Sequence, residues 1–191
     1  MYGLISKGYS PPTVAELLPS TTVINTGLQA EEGWNYELGF RGGFFENRLS
    51  VDVNAFYFRL HQAITQRRDA GGADYFINAG NTRQLGLESA FRYSHPGSHY
   101  RAVIPVIWLS HTFHRFNYRN FKQLENDFSG NRLPGVAPHT VATGLDLTFK
   151  NGLYVNLSYF FSDRIPLNDA NEAFADAFHL FGFKTGYRFS L

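Results

Sequence analysis

Val141-Ala142-Thr143-Gly144-Leu145-Asp146-Leu147-Thr148-Phe149-Lys150-Asn151-Gly152-Leu153-Tyr154-Val155-Asn156-Leu157-Ser158-Tyr159-Phe160-Phe161 decides the fold class. Alternate residues of a strand share a face. On that period Val141, Thr143, Leu145, Leu147 and Phe149 oppose Ala142, Gly144, Asp146 and Thr148. Beyond Lys150-Asn151-Gly152, Leu153, Val155, Leu157, Tyr159 and Phe161 oppose Tyr154, Asn156, Ser158 and Phe160. Asn-Gly between two alternating runs predicts an antiparallel hairpin closed by a two-residue turn. The polar face is the more telling one. Charged residues beside Gly and Ala at mid-strand pack poorly in a sandwich core, but suit a wall that faces water.

The same pattern extends in both directions. Leu49, Val51, Val53, Ala55 and Tyr57 oppose Asp52 and Asn54, with Phe56 and Phe58 following. Leu85, Leu87, Ser89, Phe91 and Tyr93 oppose Gly86, Glu88, Ala90 and Arg92; Phe181, Phe183, Thr185, Tyr187 and Phe189 oppose Gly182, Lys184, Gly186 and Arg188. Residues 48–60, 83–93, 140–150 and 152–163 reach the about 9–11 residues of a membrane-crossing strand, against about 5–6 in a typical soluble one. Connections fall into two populations. Phe45-Glu46-Asn47-Arg48, Ser94-His95-Pro96-Gly97-Ser98 and Lys150-Asn151-Gly152 are short; 10–33, 118–139 and 164–177 are long and polar, and 66–74 is intermediate. Short and long broadly alternate, as in barrels with short turns on one side of a membrane and long loops on the other. The fold class expected is all-β: an antiparallel up-and-down transmembrane β-barrel segment, a partial barrel of roughly nine strands. Residues 34–60, 83–117 and 140–163 are expected to form long hairpins. Val51, Val53, Leu85, Leu87, Leu145, Leu147, Val155, Leu157 and Phe183 are expected to face outward, and Glu37, Arg41, Glu88, Arg92, Asp146 and Lys184 inward.

Composition alone fits either a barrel in lipid or a soluble all-β sandwich. Aromatics are 17% and charged residues 17% of the 191 residues, against an average charged fraction of about 25%. Mean hydropathy is slightly negative, and no run of about 18 apolar residues marks a transmembrane helix. A net charge of +1 argues against a nucleic-acid partner, which needs a dense basic patch. There is no cysteine, hence no disulfide and no thiolate metal site. The start, Met1-Tyr2-Gly3-Leu4-Ile5-Ser6-Lys7, lacks the basic-then-apolar order of a signal peptide.

No catalytic constellation is legible. His111 and His114 are three apart in a strand pattern and point to opposite faces, while His95 and His99 flank a Pro-Gly turn. Acids such as Asp69, Asp74, Glu125, Asp127, Asp163, Asp169 and Asp176 lie in or near loops without calcium-loop spacing. No zinc-protease, nucleophile-elbow or phosphate-loop motif is present. The chain therefore reads as a non-enzyme, with no catalytic residue, metal site or cofactor.

Several segments, in order, carry a family likeness. They are Ser6-Lys7-Gly8-Tyr9-Ser10-Pro11-Pro12-Thr13, then Leu28-Gln29-Ala30-Glu31-Glu32-Gly33-Trp34-Asn35-Tyr36-Glu37-Leu38-Gly39-Phe40-Arg41-Gly42. Leu49–Leu60, Tyr75–Glu88 and Leu133–Thr140 follow. Together they resemble the barrel of TonB-dependent outer-membrane receptors over roughly residues 2–160. The resemblance implies that residues 1–191 are a late part of one receptor barrel domain, without plug domain or signal peptide. Receptors of this kind sit in the bacterial outer membrane and import a scarce nutrient, a ferric siderophore or ferric citrate-type chelate being the first expectation. The partners implied are outer-membrane lipid and lipopolysaccharide, the ferric chelate, and periplasmic TonB acting through the missing plug. The alternative is a secreted or surface all-β ligand-binding module without transport.

Candidate ligand-binding residues fall in or near the long connections: Arg67, Arg68, Tyr75, Arg115, Tyr118 and Arg119. Arginine suits anionic chelates, and equally lipopolysaccharide phosphates or simple loop solubility. Tyr75, Phe76, Phe116, Tyr118, Phe121 and Phe128 are placed either in a ligand pocket or in an aromatic girdle.

Overall fold

The computed structural model describes residues 1–18, 24–95, 102–123 and 125–189. Its elements are β1 (Tyr2–Ser10), α1 (Val14–Leu17), β2 (Glu31–Phe44), β3 (Leu49–His61), β4 (Ile64–Arg68), β5 (Asp74–Asn78), β6 (Asn81–Ser94) and β7 (Val103–Asn120). They continue with β8 (Lys122–Gln123), β9 (Asn126–Asp127), β10 (His139–Phe149), β11 (Leu153–Ser162), β12 (Ile165–Pro166), β13 (Phe174–Ala175) and β14 (Phe178–Tyr187). Eight strands form one sheet in the order β1-β2-β3-β6-β7-β10-β11-β14, every neighbour antiparallel. The others pair as three two-stranded ribbons, β4-β5, β8-β9 and β12-β13. The sheet thus has one strand fewer than the roughly nine expected. The short ribbons lie inside the long connections, where two-residue strands leave no period-two signal. Among the described residues β1 pairs only with β2 and β14 only with β11, so the sheet is not closed. No helix is long and apolar enough to cross a membrane among the described residues.

The expected hairpins are β2-β3, β6-β7 and β10-β11. Their register sorts the side chains, because directly opposed residues share a face. One row runs Leu49, Tyr93, Ile107, Leu145, Leu157, Phe183 across six strands. Another, on the other face, runs Ser50, Arg92, Trp108, Gly144, Ser158, Gly182. The expected outward and inward sets each lie on a single face, as one apolar and one polar surface.

Among the described residues the sheet has no core of its own. Among the described residues the buried apolar side chains include Ala63, Ala79, Tyr118, Phe121, Ala137 and Pro166, all at or beyond the long-connection ends of the strands. On the apolar face Phe181 is 83% and Phe183 70% exposed, which suits lipid as the solvent. The polar face is knitted by charge and amide contacts. Arg41 Nη2 lies 2.6 Å from Asp52 Oδ2, and Asn156 Nδ2 donates to Asp146 Oδ1 at 2.6 Å. Its aromatic rings lie across neighbouring strands, on glycine. Phe56 covers Gly86, Trp108 covers Gly144, Tyr154 covers Gly186 and Tyr2 covers Gly39, so closely that a Cβ on any of these glycines would strike the ring.

Two turns depart from expectation or carry strain. The Lys150–Gly152 connection has three residues, not a two-residue Asn-Gly turn: only Gly152 is left-handed, at φ 93°. Its N–H donates to Phe149 O at 3.1 Å, and Asn151 instead turns its side chain to accept the Leu153 N–H at 3.1 Å. At the β2-β3 turn Phe45, Glu46 and Asn47 are all left-handed, with φ of 55°, 58° and 64°. Of the third short turn, Ser94 and His95 are described; Pro96 to Ser98, and His99 after them, lie outside the described residues.

Candidate functional site

All four long connections leave the same end of the sheet, since each joins strands at the end opposite the short turns. There they bind one another. Asn25 Nδ2 donates to Phe76 O at 2.9 Å, and the Gln29 N–H to Asn78 Oδ1 at 2.8 Å. The Ile64 N–H donates to Glu31 Oε1 at 2.7 Å. These contacts fasten the first connection to the β4-β5 ribbon. The third and fourth connections are joined by Asn171, whose Oδ1 accepts the Arg132 N–H at 2.7 Å and whose Nδ2 donates to Arg132 O at 2.9 Å.

Asp169 lies where three connections meet. Its Oδ2 is 2.7 Å from Arg67 Nη2, and its Oδ1 accepts the Tyr118 hydroxyl at 2.5 Å. Asn131 Nδ2 donates to its carbonyl at 2.8 Å. The Arg67–Asp169 pair is mostly shielded, with side chains 17% and 14% exposed. The Arg67 guanidinium also sits 5.4 Å from the centre of the Phe121 ring. Tyr118 and Phe121 pack with Ala79, and Ile77, Phe128 and Leu133 close the cluster. Gly80, at φ 69°, allows the close approach, because a Cβ there would collide with the Asn120 carbonyl. Burial, and then the hydrogen bond to Asp169, push the Tyr118 phenol well above the ordinary tyrosine range.

The six expected ligand residues therefore divide. Arg67 and Tyr118 meet at Asp169 and hold loops together. Arg68 pairs with Asp74 at 2.9 Å, a hydrogen bond that holds the Asp74 carboxyl below its usual range. Tyr75 stands opposite Arg67 on the β4-β5 ribbon. Arg115, opposite Leu85, lies on the apolar face, and Arg119 is exposed near the end of β7. The loop aromatics split likewise: Tyr118, Phe121 and Phe128 form the small core, while Phe116 meets Phe56 edge-on at 6.1 Å. Asp169, Asn131 and Asn171 had no role in the sequence reading; their partners lie 38 to 51 residues away.

His111 and His114 do face opposite ways, His111 opposite Val141 and Ser89, His114 opposite Gly86. His111 Nε2 instead meets His139 Nδ1 at 3.2 Å, on the apolar face. Among the described residues no three His, Cys, Asp or Glu side chains converge as a metal site.

Comparison with known proteins accounts for this arrangement. The ferric yersiniabactin uptake receptor FyuA from Yersinia pestis matches with TM-score 0.67 at 17% identity, over 97% of this chain and 27% of that one. The copper transporter OprC matches with TM-score 0.73 at 14% identity, over 98% and 28%. The siderophore receptor PiuA from Acinetobacter baumannii matches with TM-score 0.68 at 16% identity, over 98% and 27%. At these identities the likeness is one of fold, and the chain spans little more than a quarter of each of these structures. The sequence itself matches the family "TonB dependent receptor-like, beta-barrel" over residues 1–191. With its alternating connections, two-faced sheet and matching sequence, the chain belongs to the TonB-dependent receptor β-barrel family.

Proposed function

We propose that this chain forms part of the wall of a bacterial outer-membrane receptor for TonB-energised uptake of a scarce nutrient, with a ferric chelate as the cargo. The observation that carries the reading is the family match over residues 1–191 on a sheet with one apolar and one polar face. A soluble binding module has no use for the exposed apolar face. The chelate assignment draws on relatives named as ferric yersiniabactin and siderophore receptors. A relative named as a copper transporter shares the fold equally well, so cargo is set by loop chemistry and not by the wall. The family is one of receptors and transporters, and the chain acts without catalysis.

Cargo meets the protein at the mouth formed by the long connections. There Arg68 and Tyr75, on the β4-β5 ribbon, are the proposed contacts, while Arg67 and Tyr118 fix the ribbon's position through Asp169. TonB acts through a plug contributed from outside residues 1–191, and the apolar face meets membrane lipid and lipopolysaccharide. The test is uptake of radiolabelled ferric chelates by iron-starved cells carrying the full reading frame that contains this chain. Uptake that stops when TonB is deleted, with the protein in the outer-membrane fraction, is expected. Uptake indifferent to TonB, or recovery of the protein as a soluble species, would overturn the reading.

A further inference from the structure

We propose that His111 and His139 together form a two-coordinate site for a soft monovalent metal ion of the silver(I) and copper(I) kind, on the apolar face near its long-connection end. The register brings them together. His111 stands opposite Val141 and His139 opposite Phe113, so the two are diagonal neighbours across the β7-β10 ladder. Diagonal neighbours on one face lie within reach of ring side chains. Ladder pairing holds both backbones, and the Asp163 N–H donates to His139 O at 2.9 Å. The Phe113 ring backs the His139 ring, with 5.0 Å between centres.

The two imidazoles meet head-on. His111 Nε2 and His139 Nδ1 are 3.2 Å apart, the ring centres are 5.5 Å apart, and the ring planes lie within 10° of each other. With the nitrogens so near, the centres can be so far apart only when both nitrogens lie on the line joining them. The rings are therefore nearly coplanar, and the lone-pair axes of the two nitrogens share one line. A proton on that line makes an N–H···N hydrogen bond. A closed-shell cation that coordinates linearly uses the same line, with a nitrogen at each end. At an ordinary metal–imidazole bond of about 2 Å the nitrogens would stand about 4 Å apart. Ring torsions of histidine are broad, and His139 is exposed at the first residue of β10. A small swing of its ring opens the pair that far.

Ligand count and charge pick the ion. Among the described residues no third His, Cys, Asp or Glu joins the pair. Asp163, beside His139 in the ladder, turns its Oδ1 to the Arg164 N–H at 2.8 Å. A zinc-type ion takes four ligands, and it would bring a double charge to a face built of Leu109, Phe113 and Val141, where burying charge is costly. A singly charged ion held by two nitrogens in line needs nothing further from the protein. The ion takes the place of the shared proton, which passes through solvent to the other nitrogen of the ring that held it. Each imidazole keeps one proton and stays neutral, and the site gains one positive charge. The pair faces away from the polar side of the wall, so this site is additional to the proposed uptake and does not rest on it.

Histidine footprinting tests the site on the full-length protein containing this chain, folded in detergent in chloride-free nitrate buffer. Diethyl pyrocarbonate acylates free imidazole nitrogens, and peptide mass spectrometry reports each histidine separately. The probe is silver nitrate. Acylation of His111 and of His139 is expected to slow together, half-maximally at the same silver concentration. His179, on the same face but bonded to the Tyr159 hydroxyl at 2.8 Å, should stay reactive, and zinc nitrate at equal concentration should protect neither member of the pair. In His139→Gln, half-protection of His111 should need at least about tenfold more silver, because losing even a group that only supports a metal ligand costs about 10–100-fold. In the parent, silver that leaves His111 and His139 unprotected, equal protection by zinc, or equal protection of His179 overturns the proposal whether or not the variant folds. So does a folded His139→Gln protein whose His111 is protected at the parent's silver concentration.

Discussion

The loop cluster around Asp169 and the sheet beneath it are stabilised by different solvents. In the cluster Tyr118 and Phe121 are withdrawn from water at 5% and 2% exposure, and hydrophobic burial does the stabilising. On the sheet Leu157 and Phe183 stand open at 43% and 70%, and the backbone ladder is continuous across eight strands. Such a surface is stable only where its surroundings are apolar too. One chain therefore carries a small water-soluble core mounted on a lipid-soluble wall, and different substitutions probe the two places.

The sharpest contrast is a truncation. Phe121→Ala should weaken the loop cluster by about 3 kcal/mol, the usual cost of removing a buried ring. Hydrogen exchange should accelerate at 126–133 and 165–173 and not in the β10-β11 hairpin. Acceleration that spread evenly through the sheet would erase the distinction between the two regions.

A charge on the apolar face probes the other side of the comparison. Leu157→Arg should disfavour insertion by about 2–4 kcal/mol if the site sits near the midplane, read from folding into vesicles. Asp146→Asn, on the polar face, should cost far less. Equal penalties at both positions would mean that the face does not meet lipid.

Smaller still is the Tyr118–Asp169 bond. Tyr118→Phe should loosen the clasp by about 1.5 kcal/mol, the low end for a hydrogen bond to a charged group. Because folding raises the phenol's pKa, its contribution is intact below the unfolded value of about 10 and declines as pH rises beyond it. Protection at 165–173, taken relative to the base-catalysed intrinsic rate, should fall above that pH in the parent and stay constant in Tyr118→Phe. The Arg68–Asp74 pair gives the least. With the carboxyl's pKa depressed, its contribution exists above the ordinary aspartate value of about 3.9 and disappears as pH falls below it. Arg68 is exposed and Asp74 partly so, so added salt should strip away most of the effect; a salt-resistant difference in Asp74→Asn melting would show that the pair is shielded from solvent.

What was legible in the sequence was whatever the period of two governs. Leu145 and Asp146 could be assigned to opposite faces from their neighbours alone, and the register bears that out. The same parity places Arg115 with Ile107, Leu109 and Phe113, a sign that it leaves the barrel interior; grouping it with loop residues obscured this. The clasp was not legible, because nothing local to Tyr118 announces an aspartate 51 positions later. Nor was the three-residue turn at Lys150, where the Asn151 side chain captures a backbone N–H that a two-residue turn would have used otherwise.

The aromatic rings laid over Gly39, Gly86, Gly144 and Gly186 have a mechanical meaning. A phenyl or indole standing upright on the polar face would project several ångströms into the interior; lying across a glycine it adds little more than its own thickness. The wall is thus paved rather than bristled, and whatever slides or rotates against it meets a low-relief bearing surface. A methyl group at Gly86 would tip Phe56 upward like a raised cobble, narrowing the clearance inside while leaving the lipid side untouched.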